Sequence, residues 1–273
     1  MGCCTLPSHL APHSPVLLGH PGDLPPGEGI SLLVDAGPQP QHATTKLTCI
    51  MTDPAHVVLG IARIEAEAGG RFLGTAFGVA TNLVATCLHN IGGSDRNLRL
   101  LAIDGGSING YQDTTETSFE SMPIRVKASD SLRDICLLEL TDPQASVGSF
   151  PKIASPDSLN VGELVFTFGF PHSTDAGRVV LTRQDSIVGA KVLLNSQGVK
   201  TKHVVVNLQA RPGQSGSPVY SPRLQAVVGM IMGSFAPATQ GGILLGNIDP
   251  QTLPHQTTHA ISAEYLQRMV TSV

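Results

Sequence analysis

Three segments of the chain hold residue types that can do chemistry together. Ala85-Thr86-Cys87-Leu88-His89-Asn90 is an apolar strand pattern that ends on a histidine. Arg133-Asp134-Ile135-Cys136-Leu137-Leu138-Glu139-Leu140 opens an apolar run on an acid. Arg211-Pro212-Gly213-Gln214-Ser215-Gly216-Ser217-Pro218-Val219 brackets a serine with glycines ahead of another strand. A serine hydroxyl is a poor nucleophile until a neighbouring base takes its proton, and histidine is the usual base. Singly, the three have ordinary readings: a satisfied core histidine, a strand-edge acid and a turn serine. As a set they spell nucleophilic catalysis. The G-x-S-x-G elbow fits worse, because Ser217 stands where its last glycine belongs and the chain order is His, Asp, Ser rather than Ser, Asp, His.

The elements that must position these residues are short strands. Apolar, β-branched runs separated by Gly, Asn, Asp and Pro fall at His56–Ile64, Phe72–Ala80, Leu83–Cys87, Leu98–Ile103, Pro123–Lys127 and Ile135–Leu140. A second group falls at Leu164–Phe168, Val179–Thr182, Ile187–Leu194, His203–Leu208, Pro218–Tyr220 and Ala226–Met232. Many short strands at this spacing predict antiparallel sandwiches or barrels, not βαβ units. The Pro-, Ser- and Asp-rich stretch Thr141–Asn160 reads as the connection between two halves, and residues 234–258 as a long loop. One helix is expected at the end, capped by Ser262, with Glu264 in its first turn and Tyr265, Leu266 and Met269 at helical spacing.

Composition narrows the classes. The 273 residues carry a net charge of −4 with no basic block, which excludes the electrostatic footprint of a nucleic-acid binder. At 41% hydrophobic the chain has material for a core, and no apolar run reaches the roughly 18 residues of a membrane span. The five cysteines, Cys3, Cys4, Cys49, Cys87 and Cys136, form no C-x-x-C pair, so neither a disulfide framework nor a zinc site is expected. Cys87 and Cys136 sit in apolar runs and read as small buried hydrophobes.

Residues 1–45 contain no Lys or Arg and are rich in Pro and Gly, a pattern of a largely disordered extension without a secretory or transit signal. An intracellular location is expected on that ground. The start Met1-Gly2-Cys3-Cys4 raises acylation of Gly2, Cys3 and Cys4 as a minority option, although Leu6 stands where the myristoylation pattern wants Ser or Thr.

The three segments resemble a chymotrypsin-fold (trypsin-like) serine peptidase, nearest to the HtrA-type peptidase domain without its PDZ domain. Gly213-Gln214-Ser215-Gly216-Ser217-Pro218 is similar to the family's nucleophile loop, Gly74-Thr75-Ala76-Phe77-Gly78-Val79 to the strand before its histidine, and Phe168-Gly169-Phe170-Pro171 to a turn of its second barrel. Val228–Met232 resembles the substrate-pocket strand and His259–Ser262 the entry to the last helix.

The resemblance implies two six-stranded antiparallel β-barrels. The first would span residues 46–145, with His89 and Asp134, and the second 146–273, with Ser215 and the C-terminal helix. His89 would act as base and then acid, Asp134 would orient it, and the N–H groups of Gly213 and Ser215 would form the oxyanion hole. Gln209, Ala210, Ile231 and Gly233 would line a primary pocket without a carboxylate. The implied partner is a protein or peptide substrate, with no metal and no organic cofactor; the oligomeric state is left open.

The departures carry meaning too. Gln214 replaces the acid that in secreted members pairs with a newly cleaved N-terminus, Asn90 replaces a disulfide cysteine, and Ser217 replaces a glycine. An alternative stays open: a peptidase-fold protein that binds peptide without turnover.

Overall fold

The run Ile135-Cys136-Leu137-Leu138-Glu139-Leu140 is apolar on both faces apart from Glu139, and the computed structural model shows why. Cys136, Leu138 and Leu140 point into one barrel, while Ile135 and Leu137 join a second cluster that reaches across to another barrel. The structure describes residues 54–65, 69–102, 108–115, 118–147, 152–235 and 257–273, together with two short strands, β1 (Val16–Leu18) and β2 (Leu32–Val34).

The first barrel comprises β3 (Val58–Glu65), β4 (Gly69–Ala80), β5 (Leu83–Cys87), β6 (Leu98–Ala102), β7 (Glu120–Asp130) and β8 (Ile135–Leu140). It closes in the order β3-β4-β5-β8-β7-β6, every pair antiparallel. A one-turn helix, α1 (Leu88–Ile91), follows β5.

The second barrel is built from β10 (Leu164–Gly169), β11 (Thr182–Ser196), β12 (Val199–Val206), β13 (Pro218–Ser221), β14 (Ala226–Phe235) and β15 (Thr257–Ser262). Its order is β13-β10-β11-β12-β15-β14, and β14 returns to pair with β13. A two-residue strand, β9 (Lys152–Ile153), adds to β14 in parallel, and the chain ends in α2 (Ala263–Thr271). Two six-stranded antiparallel barrels are what the sequence predicted. Among the described residues no helix is long and apolar enough to cross a membrane.

Several boundaries move. Of the predicted strand Val179–Thr182 only Thr182 is strand; it opens β11, which runs through the polar Arg183–Ser186, paired there with β10, into the predicted Ile187–Leu194 strand. The predicted loop 234–258 loses both ends to strands: β14 runs through Phe235, and β15 starts at Thr257. The connection Thr141–Asn160 contains β9 and a 3₁₀ turn, Pro156–Ser158, capped by the Ser155 hydroxyl. In the extension, Val16–Leu18 pairs with Leu32–Val34 as an antiparallel sheet; Gly2, Cys3 and Cys4 lie outside the described residues. The helix α2 begins where expected, with the Ser262 hydroxyl accepting from Glu264 N–H.

The two barrels meet on an apolar layer that includes Phe72, Phe77, Ile135 and Leu137 from one side and Phe168, Phe170 and Met230 from the other. Phe72 and Phe170 meet edge to face with centroids 5.7 Å apart, the geometry that aromatic quadrupoles favour.

The second barrel also buries an ionisable pair away from this junction. His203 on β12 is 6% exposed, its Nε2 meets Thr201 Oγ1 at 3.0 Å, and its ring lies 6.3 Å from that of His259 on β15. Burial, and then the neighbouring His259, lower the His203 pKa to about 4 from 6.5. Between those values the unfolded chain binds a proton that the folded chain does not. Stability therefore falls as pH drops from 6.5 toward 4, by up to about 3 kcal/mol from this ring, and is level for it above and below that window. His203→Leu is expected to flatten the fall in urea midpoint between pH 7 and pH 4.5. An unchanged pH dependence in that variant would overturn this assignment.

Candidate active site

Strand pairing brings the histidine and the acid together. β5 and β8 run antiparallel with Cys87 opposite Ile135, so the residues just beyond the ladder, Leu88 and Asp134, also face each other. Leu88 N–H donates to the Asp134 carbonyl at 3.1 Å. Asp134 has a φ of 55°, in the left-handed region that aspartate tolerates better than most residues. Its carboxylate is fully engaged by His89: Oδ1 accepts the His89 backbone N–H at 2.8 Å, and Oδ2 lies 2.5 Å from Nδ1. With Nδ1 facing a carboxylate, the ring carries its proton there and presents Nε2 as a free base.

The turn that delivers Asp134 is itself built. Asp130 Oδ1 accepts from Leu132 and Arg133 N–H, and Arg133 pairs with Asp130 Oδ2 at 2.6 Å. The Arg133 guanidinium then sits 4.5 Å over the Tyr265 ring of α2. On the histidine side, Gly92 closes α1 with a φ of 56°, and the Arg63 guanidinium donates to the Ile91 and Ser94 carbonyls.

The serine arrives on a turn from the other barrel. Arg211-Pro212-Gly213-Gln214 is closed by Gln214 N–H to the Arg211 carbonyl at 3.0 Å, and Gly213 has a φ of 97°. Pro at the second position and Gly at the third with positive φ make this a type II turn. The Pro212 carbonyl accepts the His172 N–H at 2.7 Å. A trans peptide points its C=O and N–H in opposite directions, so Gly213 N–H faces away from His172. Among the described residues neither Gly213 N–H nor Ser215 N–H has an acceptor.

Residues of the first barrel grip this loop. The Thr75 hydroxyl, fully buried, donates to the Gly213 carbonyl at 2.8 Å and accepts from Phe170 N–H at 3.3 Å. The Ser215 carbonyl takes two donors, Thr75 N–H at 3.0 Å and Asn90 Nδ2 at 2.9 Å. Asn90 fits only because residue 74 is glycine: a Cβ there would lie 2.4 Å from its Nδ2.

On the far side the ladder between β14 and β15 skips Met232, pairing Ile231 with Ala260 and Gly233 with His259. The Met232 carbonyl accepts the Ser215 hydroxyl at 3.0 Å. A bulge that redirects a main-chain group beside a functional residue is a recurrent device.

His89, Ser215 and Gly213 line one cleft of 690 Å³, with Pro212, Phe72 and Arg71 among its other walls. Of the predicted pocket residues, Ile231 is 1% exposed and packs in the second-barrel core, and Ala210 packs against that core. Their side chains are thus committed to packing, and Gln209 and Gly233 are not among the walls of this cleft. Thr258, which sequence reasoning placed in a loop, holds the 208–210 segment, with its hydroxyl donating to the Leu208 carbonyl and accepting from Ala210 N–H.

Cys87 Sγ, His89 and Asp134 bring their donor atoms within 4.8 Å of one another. Cys87 is completely buried, its thiol donates to the Ile231 carbonyl, and burial and the Asp134 charge push its pKa well up.

The sequence profile of the trypsin-like peptidase domain matches residues 74–230, more than half the chain, and that span includes His89, Asp134 and Ser215. The chain belongs to the trypsin-like peptidase domain family. No curated protein matches it. Solved structures show the same fold. The MamO protease domain from Magnetospirillum magneticum, in its apo form, superposes with a TM-score of 0.55 at 15% identity, covering 79% of this chain and 96% of that one. Rv3671c from M. tuberculosis H37Rv, a serine-to-alanine mutant in an inactive form, superposes with a TM-score of 0.53 at 15% identity, covering 81% and 87%. In this trypsin-like peptidase domain, Thr75 and the Met232 bulge are the supports that sequence reasoning missed. Thr75 stood within a quoted motif, but its hydroxyl's partners come from the other barrel.

Proposed function

We propose that this chain is a serine endopeptidase that cleaves protein or peptide substrates through an acyl-enzyme. One observation carries the reading: a single cleft joins a carboxylate-oriented His89 from one barrel to Ser215 and two acceptor-free N–H groups from the other. In this reading Ser215 Oγ leaves the Met232 carbonyl and gives its proton to His89 Nε2 as it attacks the scissile carbonyl. The carbonyl oxygen becomes an oxyanion bound by Gly213 and Ser215 N–H, each donor contributing about 3–4 kcal/mol in comparable sites. His89 then returns the proton to the leaving amine, and Asp134 holds the ring and offsets its charge throughout. Water repeats the sequence on the ester. Two guanidinium groups, Arg63 and Arg71, and no carboxylate are among the described walls of the cleft.

A second reading, peptide binding on the same fold without turnover, is favoured by the Ser215 hydroxyl donating to Met232 rather than to His89. Labelling with a fluorophosphonate probe separates the two. The expected result is a labelled parent with Ser215→Ala and His89→Ala unlabelled; a folded parent that takes no label would move the binding reading to the front.

A further inference from the structure

The peptide between Pro212 and Gly213 decides whether the nucleophile loop can receive an oxyanion. A type I and a type II turn over the same four residues differ mainly by a flip of that central peptide. In the flipped form Gly213 N–H would turn away from Ser215 and the Pro212 carbonyl would take its place. Two groups hold the observed form at the turn itself: His172 N–H on the Pro212 carbonyl, and the Thr75 hydroxyl on the Gly213 carbonyl.

The third support is the Gln214 side chain, held by Gln184, a residue that no motif contains. Gln214 is 1% exposed, yet both ends of its amide are satisfied. Its Oε1 accepts the Arg211 N–H at 2.7 Å, and its Nε2 donates to Gln184 Oε1 at 2.5 Å. The amide orientation follows from chemistry, since a backbone N–H can only donate and so must meet the oxygen. The nitrogen is thereby forced toward β11, where only an acceptor will do. Gln184 supplies it from near the start of β11, where that strand is hydrogen-bonded to β10, opposite Thr167.

We propose that Gln184 is a positioning residue: through Gln214 it clamps the Arg211–Gln214 turn in the form that aims Gly213 N–H at the oxyanion. Gln184 touches neither substrate nor reacting atoms. The clamp is internal to the second barrel, joining a rigid strand to the loop it orders. This inference deepens the serine endopeptidase reading and rests on it.

The test compares the full-length parent with Gln184→Leu and Gln184→Glu. Leucine fills the space and removes the acceptor, while glutamate keeps it. With a peptide substrate, Gln184→Leu is expected to lower kcat by about 10- to 100-fold with KM changed less than threefold, because the oxyanion forms only after binding. Affinity for a peptide aldehyde, which forms the tetrahedral adduct, should fall by a similar factor. Gln184→Glu should restore both to within about threefold. Equal kinetics in parent and Gln184→Leu, or loss in Gln184→Glu as deep as in Gln184→Leu, would overturn the clamp.

A parent that neither turns over nor takes a fluorophosphonate would sink the endopeptidase reading instead. The clamp is then judged by NMR of the Gln214 side-chain amide. Slow proton exchange in the parent that becomes fast in Gln184→Leu supports it, and identical exchange in both overturns it.

Discussion

Asp134→Asn is expected to leave the fold intact and to cut turnover about 10⁴-fold, the size of loss seen when a triad acid becomes an amide. The geometry dictates the sign. Asp134 uses one oxygen for the His89 backbone N–H at 2.8 Å and the other for the ring Nδ1 at 2.5 Å. An asparagine has one oxygen, and the backbone donor claims it, because an amide NH₂ cannot face an N–H. The NH₂ then points at Nδ1, which must become an acceptor, and the ring proton moves to Nε2. A ring protonated at Nε2 cannot take the proton of Ser215. Kinetics on a peptide substrate, alongside circular dichroism and a thermal melt to show an unchanged fold, check this. Wild-type turnover in Asp134→Asn would remove Asp134 from the mechanism.

Gly216→Ala should be among the most destabilising single methyl additions to the chain. Gly216 has a φ of 91°, and a Cβ there would lie 2.0 Å from the backbone oxygen of Thr75 and 2.6 Å from Thr86 Oγ1. Neither obstacle is the far end of a flexible side chain. Relief requires the nucleophile loop to move off the first barrel, with loss of the Thr75 and Asn90 bonds to the Ser215 carbonyl. A loss of about 4 kcal/mol or more in urea unfolding is expected. Gly162→Ala is the control: its φ is 87° but nothing lies within 4 Å of the added carbon. It should cost only the left-handed backbone, about 1 kcal/mol. Equal stability of the two variants would show that the junction of the barrels is looser than these distances imply.

Much of this architecture is written locally. Leu83–Cys87 and Ile135–Leu140 are strands with the boundaries their apolar runs suggest, since both faces are buried except at Glu139 and the one other polar residue, Thr86, is buried. His89 and Asp134 could be paired from sequence because the residue types and order are distinctive. Pro212-Gly213 likewise announces a type II turn. What local pattern could not supply was partner choice. β15 was hidden because Thr257, Thr258 and His259 are three polar residues in a row and follow a Pro/Gly/Gln-rich stretch. Arg183–Ser186 looked like a break because four polar residues run together, although only Arg183 and Asp185 are exposed while Gln184 is half-buried and Ser186 buried. Ile231 resembled a pocket wall, but the bulge at Met232 sets which side chains of β14 turn inward. Thr75 and Gln184 act through residues more than 25 positions away, and no spacing rule reaches that far.

The Ser215 carbonyl, held by Thr75 N–H and Asn90 Nδ2, has one consequence beyond positioning. These bonds run from one barrel to the other, and so does the alignment of His89 with Ser215. The serine is therefore a gauge of docking. On the serine endopeptidase reading, reactivity at Ser215 would follow the fraction of molecules whose two halves are in contact, and would be lost at the first parting of the barrels.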